Sequence, residues 1–202
     1  MEFRGREFSV SKIYRGFTLI ELVVVIIILG ILAVIAAPKF IDLRSDAELS
    51  VLKGMQGSLK STRDLVAAQI ALRPENLSSN NRSFTLDSGE NIEVRGEYPD
   101  GRWSSTFAHI VDFDSVTNLA SGNECPESHP TAWCVREKGR NWFNNRGYSS
   151  ERGRGFVIFP QGNSIGNNND EKCYLYYFTP NRNNVVGLGT QPIVELDLTD
   201  CS

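Results

Sequence analysis

The chain has no surplus of positive charge. Its 21 Lys and Arg stand against 24 Asp and Glu, a net charge of −3. Nucleic-acid binders ordinarily show a clear basic excess, so no nucleic acid is indicated as a partner. Histidine is scarce: His109 and His129 stand isolated, and neither is assigned chemistry. No glycine-rich phosphate loop occurs, so any ATP-driven work must be done by other proteins. There is no internal repeat. Cysteine is missing from the N-terminal half; Cys125, Cys134, Cys173 and Cys201 all follow the longest apolar run. An even count on one side of a membrane suits an oxidising compartment. The Cys-x-x-Cys knuckle is absent too, which argues against a zinc site built from Cys125, His129, Cys134 and Cys173. The acidic, amide-rich stretch Asn167-Asn168-Asn169-Asp170-Glu171 lacks the Asp-x-Asp-x-Asp-Gly spacing of a calcium loop and reads as a solvated loop. Neither a metal nor a cofactor is implied.

A catalytic centre is also missing. Gly162-Asn163-Ser164-Ile165-Gly166 matches the Gly-x-Ser-x-Gly pattern of a nucleophile elbow. An elbow needs a helix behind it, where this chain has an Asn run, and hydrolases of that type place the His after the Ser. Both histidines precede Ser164, so the segment reads as a turn and the chain as no enzyme.

What the chain does have is one long apolar run behind a small basic head. Residues 1–16 hold Arg4, Arg6, Lys12 and Arg15 against Glu2 and Glu7. A short basic segment before an apolar span stays cytoplasmic, which places the rest outside, across the inner membrane in a Gram-negative cell. As a helix, residues 17–37 rise about 30 Å, the thickness of the hydrocarbon layer. A conventional signal peptide has an apolar core of ~7–15 residues and a small-x-small cleavage site. Here the run is longer, and Ile35-Ala36-Ala37-Pro38 puts Ile and Pro at the wrong places. Glu21 is the odd residue, since a carboxylate at the centre of a membrane helix costs about 2.5–3.5 kcal/mol. Thr18-x-x-Glu21 is a capping box, in which Glu21 reaches back to the Thr18 amide. A position near the interface would also let Glu21 snorkel towards water.

Gly16-Phe17-Thr18-Leu19-Ile20-Glu21-Leu22 resembles the class III signal of the type IV pilin family, shared by type IV prepilins and type II secretion pseudopilins. The resemblance is strong over residues 15–60 and weaker beyond. It implies cleavage between Gly16 and Phe17 by a prepilin peptidase/methyltransferase, which removes residues 1–16 as a leader, and N-methylation of Phe17. It also implies that Gly30 and Pro38 soften the helix and that Glu21 acts in assembly. The physics agrees. Cleavage creates an amine on Phe17, and a buried ammonium and carboxylate are each costly alone and tolerable together. Glu21 of one subunit meeting the Phe17 amine of the next would set the axial register, as a buried polar group does in a coiled coil.

Beyond Pro38 helical periodicity resumes over residues 38–73. Leu52, Met55, Leu59, Val66 and Ile70 share one face, with Asp46, Glu48, Lys53, Lys60 and Arg63 largely off it. Arg73-Pro74 ends the helix, and residues 76–83 read as a loop. Residues 91–95, 155–160, 173–179 and 192–198 have the composition of strands, and hairpin-like spacing suggests an antiparallel sheet. Tyr98-Pro99-Asp100-Gly101 is a turn signature. Residues 107–113 suggest a helical turn, and 141–155, 162–170 and 181–184 read as Asn- and Gly-rich linkers. The fold class is α+β: a long N-terminal helix, half membrane-spanning (17–37) and half amphipathic (38–73), packed on a C-terminal antiparallel sheet in a β-rich head (74–202). The pilin fold has that form. Trp103, Trp133, Trp142, Phe143 and Tyr148 are candidates for a surface that stacks on host or surface glycans, with core packing the stronger reading.

Three disulfide pairings are open to four cysteines. The favoured one joins Cys125 to Cys134 and Cys173 to Cys201. The second bridge would pin the end of the chain to a strand, worth about 3–4 kcal/mol by loop entropy. Many type IV pilins likewise close a C-terminal loop. The signal from Gly16 to Ile26, the continuation Ala36-Ala37-Pro38-Lys39-Phe40 and Lys53-Gly54-Met55 resemble the mannose-sensitive haemagglutinin (MSHA) branch in particular. That resemblance implies a structural, surface-attaching subunit of a helical filament of identical copies. It implies an inner-membrane precursor with a cytoplasmic N-terminus, assembly by a platform and ATPase, and a final place in a cell-surface pilus. A type II secretion pseudopilin, forming a periplasmic filament for protein export, is the alternative. The disulfides favour a pilin, because the major pseudopilin usually stabilises its domain with calcium.

Overall fold

The computed structural model describes residues 17–113, 115–149, 151–166, 172–180 and 191–201, with the backbone alone for 37–45. Gly16 and the leader, the stretch 167–171 and the linker 181–184 lie outside the described residues. Two units are distinguished, Met1–Leu43 and Arg44–Ser202. Helix α1, Leu19–Leu72, contributes to both. Its backbone is helical through Gly30 and Pro38.

In the first unit, Leu19–Ala36 has a mean hydropathy of 3.3 and none of it is buried. A helix apolar all round has no solvent-facing side, so it belongs in lipid or among other helices. In the second unit the apolar stripe of α1 is core. Leu52, Met55 and Leu59 pack with Trp103, Phe107, Phe156, Ile158, Leu175 and Tyr177, while Val66 and Ile70 pack with Phe84, Ile92 and Val94.

Two sheets follow. The small one orders strands β1 (Ser83–Thr85), β2 (Asn91–Arg95) and β3 (Tyr98–Pro99), all antiparallel. The large one orders β4 (Val116–Asn118), β5 (Trp133–Gly139), β6 (Gly153–Pro160), β7 (Tyr174–Pro180) and β8 (Ile193–Asp197). It is antiparallel except where β4 joins β5 in parallel. Both faces of its centre are buried, with side chains alternating at period two. Phe156, Ile158, Leu175 and Tyr177 face the α1 core; Val157, Phe159, Tyr174, Tyr176 and Phe178 face a second core under helix α2, Arg140–Asn145. Trp142 and Phe143 of α2 fill that second core.

Several local readings differ from the sequence expectation. The segment 141–155 is not simply a linker, since α2 begins at Arg140. The turn near Tyr98 sits two residues earlier, at Gly96-Glu97, where Gly96 has φ 62 and Tyr98–Pro99 is already strand. A two-residue hairpin turn needs positive φ, which glycine supplies without strain. Residues 107–113 do contain a short 3-10 helix, Phe107–His109. Arg63, placed off the core face by periodicity, is buried: Nη1 donates to Pro192 O at 3.0 Å and Nε to Asp64 at 2.8 Å.

The segment Pro99–Gly101, at the end of β3, ties the two sheets together. Tyr177 and Thr179 of β7 donate to Pro99 O at 2.9 and 3.1 Å. The buried Asp100 carboxylate pairs with Arg95 of β2 at 2.8 Å and Arg154 of β6 at 3.1 Å. Burial nonetheless raises the Asp100 carboxyl above its ordinary value, with Arg95 pulling the other way.

Candidate functional site

At the front of α1 the capping box is complete. Thr18 O accepts from Leu22 N at 3.3 Å, which makes Thr18 the N-cap. Thr18 N donates to Glu21 Oε2 at 2.8 Å, and Thr18 Oγ1 donates to the same oxygen at 2.9 Å. Glu21 N lies 3.3 Å from Thr18 Oγ1, closing the reciprocal pair. Two amide hydrogens that a helix start leaves unpaired are thereby satisfied. Each recorded side-chain bond of the Glu21 carboxylate falls on Oε2, and a carboxylate has about four lone-pair sites. The cap therefore does not use up the carboxylate. Phe17, just ahead of it, is 92% exposed. Behind it, Leu19 to Ile35 present large apolar side chains to the outside on every side. A Cβ on Gly30 would meet nothing within 4 Å, so no packing contact holds that position to glycine.

Residues 11–37 match the family described as the prokaryotic N-terminal methylation motif. Over 55 residues the chain is 40% identical to the type IV narrow pilus major component PilA5 of Thermus thermophilus, covering 27% of this chain and 47% of that one. Over 134 residues it is 29% identical to the type IV major pilin protein PilE1 of Neisseria gonorrhoeae, covering 66% of this chain and 58% of that one. Over these stretches the chain is similar to type IV pilins. A fimbrial protein of Neisseria meningitidis is 28% identical over the same length, covering 74% of that relative. The matched stretch of this chain spans about half of the first two relatives, 47% and 58%. No solved structure matches it.

Elsewhere in the chain the other candidates fall into structural roles. Cys125 is bonded to Cys134 and Cys173 to Cys201, with Cα separations of 5.8 and 4.8 Å. The Cys173–Cys201 bridge ties the residues after β8 to the start of β7. Cys125, His129 and Cys134 bring ligand atoms within 4.8 Å of one another. Both sulfurs are spent on the disulfide, and neither is a thiolate that would hold zinc. His129 Nδ1 instead meets Thr131 Oγ1 at 3.0 Å. His109 lies between Ser104 O at 3.2 Å and Glu90 at 3.4 Å. Ser164 forms an extended bridge with Glu124, and the turn comes before it at Gln161-Gly162, where Gly162 has φ 90.

The aromatic side chains proposed for glycan stacking are mostly inside. Trp103, Trp133, Trp142 and Phe143 are buried, and Arg146 covers the Trp142 ring at 3.9 Å. Tyr148 is half-buried and stacks on Tyr176 with centroids 4.4 Å apart. Its hydroxyl bonds Tyr174 and Asp197. Partial burial raises the Asp197 carboxyl, but hydrogen bonds from Thr199 and Tyr148 outweigh it and hold it below its ordinary value.

Proposed function

We propose that this chain is a structural subunit of an MSHA-like type IV pilus that polymerises through its N-terminal helix and mediates surface attachment. The observation that supports this most directly is the exposed apolar helix Leu19–Ala36 opening on a Thr18–Glu21 cap, directly behind Phe17. The precursor sits in the inner membrane as a single-pass protein with residues 1–16 cytoplasmic. A prepilin peptidase/methyltransferase cuts after Gly16 and methylates Phe17. An assembly platform and its ATPase then draw subunits into a homo-oligomeric helical filament.

The chemistry at the cut is electrostatic. The new Phe17 amine is a cation beside a hydrophobic segment, and Glu21 is the single acid within that segment. The carboxylate of one subunit receives the amine of its neighbour while Oε2 keeps its bonds to Thr18. Pairing offsets the desolvation of both groups only when they meet in register, so axial slippage is penalised. Gly30 and Pro38 are the places where α1 yields under tension.

Electron microscopy of filaments sheared from cells, followed by N-terminal sequencing, tests the reading. Surface filaments made of chains that begin with N-methyl-Phe17 are expected. Processed protein confined to the periplasm, with no surface filament, would point to the export pseudopilin instead.

A further inference from the structure

Cys125, His129 and Cys134 come together for reasons that do not depend on the bond between the two sulfurs. Cys134 lies in β5 opposite Phe159 of β6. Cys125 is held at both of its backbone polar atoms: its N donates to Asn163 O at 3.0 Å, and its O accepts from Gly162 N at 2.6 Å. The loop between the cysteines is tied to the same stretch. Gln161 N donates to Ala132 O at 2.9 Å, and Gln161 Nε2 to His129 O at 2.7 Å. His129 N closes a turn onto Pro126 O at 2.9 Å. Thr131 N donates to His129 Nδ1 at 3.3 Å, which orients the ring. All of these anchors remain when the disulfide is opened. Two buried thiols and one half-buried imidazole then face one another, with ligand atoms that the folded loop places within 4.8 Å.

We propose that the reduced head holds a zinc ion between Cys125, His129 and Cys134, and that zinc and the Cys125–Cys134 disulfide exclude each other. The inference does not rest on the pilus reading. The donor set chooses the ion. Two thiolates and an imidazole suit Zn2+ or Cu+ and not the oxygen-seeking Ca2+ or Mg2+. Burial decides between the first two. Two thiolates neutralise Zn2+, whereas with Cu+ they leave one negative charge in the cluster of Val157, Phe159 and Ile165, where an uncompensated charge is costly. The size fits as well. Tetrahedral zinc, about 2.3 Å from sulfur and about 2.0–2.1 Å from nitrogen, sets the sulfurs about 3.8 Å apart and each about 3.6 Å from the nitrogen. Groups already within 4.8 Å, on cysteines whose Cα atoms are 5.8 Å apart, reach those spacings by turning side chains on an unmoved backbone. Water takes the fourth position, as it does where zinc has three protein ligands.

The chemistry balances in both directions. Zinc binding releases one proton from each thiol. Oxidation by a small disulfide, oxidised glutathione, moves two electrons from the paired sulfurs to the reagent. It joins Cys125 to Cys134, takes two protons from water to give two glutathione thiols, and expels the ion. A head that meets zinc before oxidant therefore closes this loop with a metal in place of a covalent bond.

The test uses the full chain in detergent micelles, reduced with a phosphine and freed of metal. It should take up one Zn2+, and Co2+ in its place should give thiolate-to-cobalt charge-transfer absorption. The oxidised chain should take up none. His129→Ala should weaken zinc by at least the roughly 10–100-fold that loss of an outer-shell partner costs. Cys201→Ser, which opens nothing further in the reduced chain, should leave uptake unchanged. Zinc should also slow the return of the Cys125–Cys134 bond under oxidised glutathione by about tenfold or more, while Cys173–Cys201 re-forms at its usual rate; peptide mass spectrometry reads both. No uptake by the reduced chain, uptake indifferent to His129→Ala, or uptake lost in Cys201→Ser overturns the site. A reduced chain that loses its β-sheet circular dichroism overturns it too, because the site requires anchors that hold without the sulfur–sulfur bond.

Discussion

Gly155 marks the tightest approach in the large sheet, and replacing it with alanine is the sharpest test of the head's packing. A Cβ at position 155 would lie 1.9 Å from Tyr177 O on the paired strand β7 and 2.7 Å from Phe143 Cζ in the second core. An oxygen and a methyl carbon ordinarily stay more than about 3 Å apart, so β6 and β7 must separate or the Phe143 ring must move. The ring is fully buried and held by Phe178 at 4.8 Å. Overpacking of this kind costs about 1–3 kcal/mol, and one disturbed ladder hydrogen bond adds about 0.5–1.5. Together Gly155→Ala should cost about 2–4 kcal/mol, which lowers the melting temperature of a head this size by about 5–12 °C. Gly57→Ala is the matched control. Its Cβ would meet nothing within 4 Å on an exposed stretch of α1. Removing a mid-helix glycine there should gain about 0.5–1 kcal/mol. Circular dichroism melts of the oxidised head measure both. If Gly155→Ala melts within a degree of wild type, the close approach of β6 to β7 is wrong.

Four further outcomes follow, the first two from the proposed function and the last two from the geometry of the head. Gly16→Ala should block processing, and Glu21→Ala should leave a processed, membrane-held monomer; immunoblots and filament counts check both, and wild-type filament yield from Glu21→Ala would refute the register argument. Cys201→Ser should cost about 3–4 kcal/mol in denaturant unfolding, because it reopens the loop closed from Cys173; a midpoint unchanged from wild type would refute that. Burial pushes the phenols of Tyr148, Tyr176 and Tyr177 above their ordinary 10.0, with Asp197 adding to the effect at Tyr148 and Glu195 at Tyr176. A raised pKa means that the unfolded state loses its proton first, so stability is intact below pH 10 and falls as pH rises beyond it. Phenolate absorbance should therefore appear together with unfolding, and early titration of these three in the folded head would contradict their burial.

The legible parts of this chain were those with local rules. Thr18 and Glu21 are three residues apart, so a capping box needs no tertiary knowledge. The α1 core stripe and strands β6, β7 and β8 announce themselves by apolar spacing and aromatic content. Strand β5 does not, because Arg136, Glu137 and Lys138 interrupt it. Each finds a partner far along the chain: Arg136 at Leu119 O, Glu137 at Ser104, and Lys138 at Asn123 and Ile165 O. Polar groups satisfied from a distance look like loop residues in sequence. Strand β4 is three residues long and pairs in parallel across the Cys125–Cys134 loop, a connection that no local signal encodes. The same limit applied to Arg63, whose acceptor at Pro192 lies 129 residues away.

Arg63 and Gln56 together explain how the large sheet ends. Gln56 Nε2 donates to Val194 O at 3.0 Å and Arg63 Nη1 to Pro192 O at 3.0 Å, seven residues apart on one side of α1. Strand β8 is the last in the sheet, so its outer carbonyls would otherwise be open to a strand from another chain. Gln56 takes one of them, Val194 O, and Arg63 takes the Pro192 carbonyl just ahead of the strand and is buried in doing so. Under the proposed assembly through helices, this is a matter of specificity as much as stability. Subunits held side by side at high local concentration are the condition under which an unblocked edge pairs wrongly.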